Sequence, residues 1–215
     1  MGAVKQNKSC LIVGAGAVTP EALLRCGDLS EQLIIAADGG YLHCRELGIT
    51  PTLILGDFDS APMPETTAET QVFPAHKDDT DCMLAAKEGL RRGCTRFTIL
   101  GGLGGRLDHT MANIQTLVYL VSHGCTAYLL DEQQQLTVLM GDCTAEAEGK
   151  DVYLSLFSLG DRCTGVTLRS VEYPLTDAVL ENSFPLGVSN RILGGRCQIS
   201  LKTGTLLVAI IAEGK

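Results

Sequence analysis

Two aspartates spaced two residues apart form the first candidate site for chemistry. Asp57 and Asp59 flank Phe58 directly after the apolar run Leu53–Leu55. If this stretch is extended, both carboxylates point to the same side of the chain. Carboxylates so close repel each other, and a divalent cation removes that conflict. Mg²⁺ suits the pair, because it binds one or two carboxylates together with waters and phosphate oxygens.

Further aspartates stand where other predicted strands end or helices begin. Asp38 follows an apolar run, and Asp78 and Asp81 lie three residues apart in a segment that opens a predicted helix. On a first helical turn these two would share one face. The structural alternative is that the acids are turn and N-cap residues, a common use of aspartate. We favour a ligand site for the whole set, since parallel α/β sheets bind ligands beyond the carboxyl ends of their strands.

A glycine-rich loop, Gly101–Arg106, lies between an apolar run and a predicted helix. Glycines let backbone N–H groups approach an anion, and Arg106 could bind a phosphate through two hydrogen bonds. The loop lacks the Gly-Lys-Ser/Thr of a Walker motif, and Gly14-Ala15-Gly16 lacks the third glycine of a dinucleotide fingerprint. Either loop could instead be a tight strand-to-helix turn. Taken together, acids for a metal, a phosphate cradle and one arginine indicate a phosphoryl-transfer site.

The first half of the chain alternates predicted strands and helices, which indicates a mostly parallel sheet covered on both faces. Thr19 and Pro20 are typical of an N-cap followed by the first helical residue. The predicted strands are Cys10–Val13, Leu33–Ala37, Leu53–Leu55 and Phe97–Leu100, and the predicted helices follow Thr19 and Gly40 and span Asp78–Arg92 and His109–Ser122.

The second half shows short apolar runs separated by turn residues, which is typical of antiparallel strands. We therefore predict an α/β N-terminal domain over residues 1–131 and an all-β antiparallel sandwich domain over residues 132–215. The strands assigned to the antiparallel pattern are Ala127–Leu130, Leu136–Met140, Val152–Phe157, Gly165–Leu168, Cys197–Leu201 and Thr205–Ile211.

Composition argues against several classes of protein. The 215 residues carry a net charge of −8 and no run of Lys or Arg, so a nucleic-acid-binding surface is not expected. No apolar stretch is long enough to cross a membrane, and the apolar part near the N-terminus is too short for a signal peptide. The nine cysteines include no Cys-x-x-Cys pair. They fit small buried side chains in a reducing cytoplasm.

A series of motifs along nearly the whole chain resembles the bacterial thiamine pyrophosphokinases (thiamine diphosphokinases). Each motif alone is weak, and their common order makes the resemblance specific. The motifs are Ala37-Asp38-Gly39-Gly40, Leu47-Gly48-Ile49 with Pro51, Gly56-Asp57-Phe58-Asp59-Ser60, Lys77-Asp78 with Thr80-Asp81, Gly104-Gly105-Arg106-Leu107-Asp108-His109, Glu172-Tyr173-Pro174-Leu175, Leu186-Gly187-Val188-Ser189-Asn190 and Gly204-Thr205-Leu206-Leu207.

The resemblance implies an N-terminal domain that binds ATP and Mg²⁺ and a C-terminal β-sandwich that helps to bind thiamine. It also implies a cytoplasmic homodimer with active sites between the subunits. The reaction would be the attack of the thiamine hydroxyl on the β-phosphorus of ATP, which gives thiamine diphosphate and AMP.

The resemblance also assigns roles to individual residues. Asp57, Asp59 and Asp81 would hold Mg²⁺, with Asp38 as support. The nucleotide and transfer site would include Lys77, Thr80, Gly104, Gly105, Arg106 and Asp108, and the catalytic group would be Asp59, Asp81, Arg106 and Asp108. Ser189 and Asn190 would meet the thiamine pyrimidine. Two departures concern the thiamine pocket, since the chain has no tryptophan and has Glu172 where many bacterial members have lysine.

Two alternative functions remain open from the residues. The same nucleotide-binding half would serve a pyrophosphokinase for another hydroxymethyl heterocycle, such as a pterin. A non-catalytic regulator that binds nucleotide or thiamine would be expected to lack the metal-binding acids, which are present here.

Overall fold

The structure is a computed structural model that describes residues 8–57, 66–73 and 78–213. Asp59 and Lys77 therefore lie outside the described residues. The described elements are, in chain order, β1 (Ser9–Val13), α1 (Pro20–Leu24), β2 (Leu33–Ala37), α2 (Gly40–Glu46), β3 (Leu53–Gly56), β4 (Glu69–Val72), α3 (Asp81–Arg91), β5 (Arg96–Leu100), α4 (Leu107–Ser122), β6 (Thr126–Leu130), β7 (Gln134–Met140), β8 (Cys143–Glu148), β9 (Val152–Ser158), β10 (Arg162–Arg169), β11 (Leu175–Glu181), β12 (Asn190–Arg191), β13 (Arg196–Leu201) and β14 (Thr205–Ala212).

The chain divides into two compact units, Met1–Glu132 and Gln133–Lys215. In the N-terminal unit the strands lie in the order β6-β5-β1-β2-β3-β4, and every neighbouring pair is parallel. Ile12 of β1 is in register with Ile35 of β2 and Ile99 of β5. All five residues of β2 are buried, as expected for a parallel strand covered on both faces.

Helices cover both faces of this parallel sheet. On one face, Leu11 and Val13 of β1 pack in a cluster with Ala22 of α1 and Tyr41 of α2. On the other face, α3 contacts β1, β2 and β3, and α4 contacts β6. The packing of α3 requires glycine at position 89, since a Cβ there would lie 2.5 Å from a ring carbon of Phe97. The predicted α/β fold of the first half is confirmed.

Two helices begin with a threonine hydroxyl accepting an N–H of the first turn, and Thr19 does so as the sequence predicts. The Thr19 hydroxyl accepts from Ala22 N at 3.2 Å, with Pro20 as the first helical residue. The Thr80 hydroxyl accepts from Met83 N at 3.2 Å. This cap corrects the prediction for the segment before it. Because α3 begins at Asp81, Asp78 lies before the helix and does not share a helical face with Asp81.

The C-terminal unit contains two antiparallel sheets. One has the order β12-β9-β14-β7 and the other β11-β10-β13-β8. A single apolar cluster includes Leu156 of β9 and Val208 of β14 from the first sheet, with Val166 of β10 and Ile199 of β13 from the second. Alternating side chains of both sheets thus share one core, and the predicted antiparallel β architecture is confirmed.

The strand at 127–130 was grouped with the antiparallel strands, and this was wrong. It forms β6, which pairs in parallel with β5 in the N-terminal unit. Strands with many polar residues were not predicted, because about half of their residues face solvent. The longest of them are β8 and β11.

Among the described residues, no helix combines the length and apolar character needed to span a membrane. All nine cysteines are thiols, and five of them are buried.

Candidate active site

A cavity of about 440 Å³ opens at the carboxyl edge of the parallel sheet in the N-terminal unit. Its walls come from the ends of β2 and β5, from the loops after β1, β2 and β5, from the first turn of α3 and from the first two turns of α4. The lining residues are Gly14, Ala15, Gly16, Ala37, Asp38, Thr80, Asp81, Cys82, Ile99, Gly101, Gly102, Gly104, Gly105, Arg106, His109, Ala112 and Asn113. We call this space the N-terminal cavity.

Two glycine loops lie backbone to backbone in one wall of the N-terminal cavity. Gly14 N donates to Leu100 O at 2.8 Å, and Gly16 N donates to Gly101 O at 3.0 Å. Side chains do not fit between these loops, since a Cβ at Gly16 would lie 2.5 Å from Gly101 O. Gly14 and Gly16 were open to an interpretation as a simple turn. The structure places them in the cavity wall beside Gly101.

The loop after β2 holds Asp38 in an unusual conformation. Its φ angle is +47°, a left-handed value that is uncommon for residues other than glycine. Asp38 N donates to Leu55 O at 2.7 Å, and a Cβ at Gly56 would lie 3.1 Å from Asp38 Cα. The main chain of Asp38 therefore packs against the end of β3, and Asp57 is the first residue after that strand.

The predicted metal-binding acids are placed only in part. Asp38 and Asp81 line the N-terminal cavity, and Asp57 follows β3 but is not among the lining residues. Asp59 lies outside the described residues. Within the described ranges, no group of three or more His, Cys, Asp or Glu side chains is arranged to hold a metal.

Arg106 and Asp108 form an ion pair at the start of α4. Arg106 Nη2 lies 2.6 Å from Asp108 Oδ2, and Arg106 Nε donates to Asp108 Oδ1 at 3.1 Å. This pairing lowers the pKa of Asp108 below its usual value and raises that of Arg106. Asp108 is therefore a carboxylate at neutral pH. Both side chains are largely exposed, so the guanidinium can exchange this partner for an incoming anion.

The loop before Arg106 contains two glycines in the left-handed conformation. Gly104 and Gly105 have φ angles of +74° and +63°, and both line the N-terminal cavity. Thr80 lines it as well while capping α3. These three residues were predicted for the nucleotide site.

Several lining residues were not predicted. His109, Ala112 and Asn113 recur at helical spacing on the face of α4 that borders the N-terminal cavity. Asn113 Nδ2 donates to Gly102 O at 2.9 Å and so ties the glycine loop to the helix. The i, i+3, i+4 spacing from His109 was the signal available in the sequence. Cys82 also lines the cavity, and burial raises the pKa of its thiol to about 12. The thiol therefore stays protonated and unreactive at neutral pH.

Ser189 and Asn190 lie in the C-terminal unit. Ser189 is exposed, whereas the Asn190 side chain is buried and hydrogen-bonded to the main chain. Asn190 Oδ1 accepts from Tyr173 N at 3.0 Å and from Arg191 N at 2.9 Å, and Asn190 Nδ2 donates to Tyr173 O at 2.7 Å. Asn190 thus fixes the segment that contains Tyr173.

Two family models match this chain, one in each unit. The model described as "Thiamin pyrophosphokinase, catalytic domain" matches residues 29–129, and "Thiamin pyrophosphokinase, vitamin B1 binding domain" matches residues 143–206. The chain belongs to the thiamine pyrophosphokinase family. The predicted family and the predicted enzyme class are confirmed.

Relatives of known structure agree with this membership. The thiamine pyrophosphokinase of Bacillus subtilis is 29% identical over 183 residues, which cover 82% of this chain and 86% of the relative. A crystal structure of the Bacillus subtilis enzyme has a TM-score of 0.86 at 26% identity, covering 96% of this chain and 100% of that one. The thiamin pyrophosphokinase of Geobacillus thermodenitrificans gives 0.84 at 25% identity, covering 96% and 99%.

Membership in the thiamine pyrophosphokinase family identifies the reaction that this protein catalyses. The protein is a transferase that pyrophosphorylates thiamine, and its C-terminal unit carries the match to the thiamine-binding domain. The N-terminal cavity lies in the unit that carries the match to the catalytic domain.

Proposed function

We propose that this thiamine pyrophosphokinase uses ATP as the pyrophosphate donor and binds it in the N-terminal cavity. The observation that carries the proposal is the wall of that cavity, where two glycine loops and Arg106 meet Asp81 and Asp38. Backbone N–H groups and a guanidinium suit phosphates, and carboxylates suit the cation that accompanies them. A volume of about 440 Å³ is within the usual range for small-ligand sites.

The triphosphate lies along the loop Gly101–Arg106 in this proposal. The loop leads directly into α4, a helix of 16 residues whose N-terminus carries positive partial charge. Arg106 leaves Asp108 and binds the transferred phosphates through two hydrogen bonds. Gly104 and Gly105 keep the backbone free of Cβ atoms where phosphate oxygens approach.

Asp57, Asp59 and Asp81 are the proposed ligands of Mg²⁺, with Asp38 in support. The residues fit a hard divalent cation, because Asp81 and Asp38 line the N-terminal cavity and Asp57 follows the strand that packs against Asp38. The role of Asp59 rests on the sequence motif. When bound, Mg²⁺ would supply positive charge that offsets the charge of the phosphates.

The proposed reaction breaks one phosphoanhydride bond and forms one ester bond. The thiamine hydroxyl oxygen attacks the β-phosphorus of ATP, the bond from that phosphorus to the α-phosphate oxygen breaks, AMP leaves, and the hydroxyl proton is released to water. Asp108 is proposed to orient the attacking hydroxyl. Once Arg106 has left it, Asp108 is an exposed aspartate, and an ordinary aspartate with a pKa of about 3.9 is a weak proton acceptor, so positioning fits it better than general base catalysis.

Ser189 and Asn190 are proposed to form part of the thiamine site, in different ways. Ser189 is exposed and can offer its hydroxyl to the pyrimidine ring. The Asn190 amide already bonds to the main chain of Tyr173 and Arg191. We therefore assign Asn190 the task of shaping this part of the pocket.

The test is a measurement of AMP release from ATP and Mg²⁺, with and without thiamine, together with thiamine diphosphate formation. Equal amounts of AMP and thiamine diphosphate, formed only with thiamine, support the proposal. ADP in place of AMP would contradict pyrophosphate transfer. Hydroxymethyl-dihydropterin serves as the alternative acceptor, and faster AMP release with it would favour the pterin enzyme. Thiamine binding without AMP release would favour a regulator.

The active form is proposed to be a homodimer with active sites at the subunit interface. Large apolar side chains are exposed at alternating positions of one segment in the C-terminal unit, where Phe184, Leu186 and Val188 are 63%, 49% and 41% exposed. Monomers rarely leave such a cluster open to water. Light scattering after size-exclusion chromatography tests this, and a monomer that is fully active at micromolar concentration would contradict it. We place the enzyme in the cytoplasm, where its thiols stay reduced.

A further inference from the structure

The main chain at Ser189 has an unfavourable conformation for a residue with a side chain. Its φ angle is +60°, in the left-handed region that glycine favours. Such a conformation persists only where the surroundings hold it in place. The direction of the Ser189 side chain depends on that backbone conformation, because the Cα–Cβ bond turns with φ and ψ.

One hydrogen bond from a neighbouring strand holds this conformation. Ser189 N donates to Ser155 Oγ at 3.1 Å. Ser155 lies in the middle of β9, between Leu154 and Leu156, whose side chains belong to the core of the C-terminal unit. Since side chains alternate along a strand, Ser155 points to the face opposite that core. It is only 4% exposed, so its hydroxyl has given up hydration to make this bond.

The segment on either side of Ser189 is held against the same strand. Leu156 N donates to Gly187 O at 2.9 Å, and Asn190 pairs with Leu154 in the short ladder between β12 and β9. A Cβ at Gly187 would lie 2.8 Å from Leu156 O, so this approach also requires glycine. Ser189 therefore lies between two residues, Gly187 and Asn190, whose main chains bond to β9, and its own N–H bonds to the Ser155 side chain.

We propose that Ser155 is a positioning residue for thiamine, whose hydroxyl holds the Ser189 main chain in the left-handed conformation that directs the Ser189 side chain. This inference rests on the proposed contact between Ser189 and the thiamine pyrimidine. A strand interior favours β-branched or aromatic residues, so a buried serine there has no advantage for the sheet itself. The Ser155 hydroxyl does accept a hydrogen bond from Ser189 N, which a β-branched apolar or aromatic side chain could not provide.

The test compares Michaelis constants for thiamine and ATP in matched variants. Ser155→Ala removes the acceptor and should raise KM for thiamine about fivefold, the factor expected for one neutral hydrogen bond. KM for ATP and kcat should stay within about twofold, because uniform substrate binding is what is lost. Ser158→Ala is the control, since Ser158 is a second buried serine of β9 that bonds to Gly160 O and not to Ser189. It should leave KM for thiamine unchanged.

A second pair of variants keeps the test valid if alanine at 155 destabilises the strand. Ser155→Thr and Ser155→Val add similar volume and differ in the presence of the acceptor oxygen. Threonine should retain the wild-type KM for thiamine, and valine should raise it as alanine does. Equal effects of the two would overturn the proposal.

The double variant Ser155→Ala with Ser189→Ala decides whether Ser155 acts through Ser189. If it does, the double variant has the KM for thiamine of Ser189→Ala alone. If the increases in KM for thiamine of the two single variants multiply in the double variant, Ser155 acts independently of Ser189, and the inference is overturned. If Ser189→Ala itself leaves KM for thiamine unchanged, the proposed contact is absent and the inference falls with it. If the wild-type protein forms no thiamine diphosphate from ATP and thiamine, the proposed function is overturned instead.

Discussion

Replacing Gly16 by alanine should damage the proposed nucleotide site by forcing its two glycine loops apart. Gly16 is not in the left-handed region, so alanine meets no backbone strain there. The added Cβ would lie 2.5 Å from Gly101 O and 3.1 Å from Gly101 C, and both are backbone atoms that cannot rotate away. The perturbation is therefore a pure steric one on the loop after β5.

The size of the effect follows from the displacement required. Ordinary contact begins near 3.4 Å, so Gly101 must retreat by about 0.9 Å from its 2.5 Å position. This shift stretches the hydrogen bond of 3.0 Å from Gly16 N to Gly101 O. Overpacking of this kind costs about 1–3 kcal/mol. A displacement of about 1 Å in a positioning element can lower a rate about 100-fold.

The assay is AMP release over a range of ATP concentrations, with thermal unfolding measured in parallel. We expect kcat/KM for ATP to fall about 100-fold and the unfolding midpoint to fall by about 4–8 °C, the shift for about 2 kcal/mol in a chain of this size. Gly160→Ala is the matched control, since a Cβ at Gly160 would contact nothing within 4 Å and Gly160 is likewise outside the left-handed region. If Gly16→Ala keeps both values within the range of that control, the close packing of the loops is refuted.

Three further variants separate activity from stability. Arg106→Ala should lower kcat about 100-fold with little change in the unfolding midpoint, because the pair of Arg106 with Asp108 is exposed and contributes about 0–1 kcal/mol. The control is Arg96→Ala, at an exposed arginine over the Tyr128 ring, which should leave kcat and the unfolding midpoint unchanged. If Arg106→Ala retains the wild-type kcat, Arg106 takes no part in the reaction. Glu88→Gln should cost about 2 kcal/mol of stability at pH 7, because Arg91 and Arg92 lower the pKa of Glu88 from 4.5 to about 2. Since that pKa is lowered in the folded state, the stabilisation is complete above pH 4.5 and is lost toward pH 2, so unfolding curves of the two proteins should converge over that range; a constant difference would contradict the ion pairs as its source. Asn190→Ala should destabilise the C-terminal unit by about 2–4 kcal/mol, because the main chain of Tyr173 loses its partners. Asn182→Ala, at an exposed asparagine, is its control, and equal unfolding midpoints would show that Asn190 does not hold this segment.

Much of the N-terminal fold could be predicted because its strands are buried on both faces. Leu33–Ala37 is an uninterrupted apolar run in the sequence and β2 in the structure. The N-cap Thr19 likewise carries its signal locally, since a hydroxyl and an N–H three residues on are close in any helix start. Strands β8 and β11 lacked such a signal, because alternate residues face water and read as loop. Asp78 was misplaced because its position depends on which residue caps α3, and helix boundaries are the least certain part of a periodic pattern.

By itself, the sequence determined the family, the order of the helices and of the apolar strands, and the residue types available for chemistry. These depend on local composition and on motifs that the chain carries in order. The tertiary structure decided which of those residues meet. Gly14 and Gly16 looked like a weak fingerprint until the parallel register of β1 and β5 brought them against Gly101. Ser155 carried no signal, because its partner Ser189 lies 34 residues away and meets it where the segment from Gly187 to Asn190 bonds to β9. Hydrogen bonds and steric exclusion between distant segments arise from packing, which a local pattern does not encode.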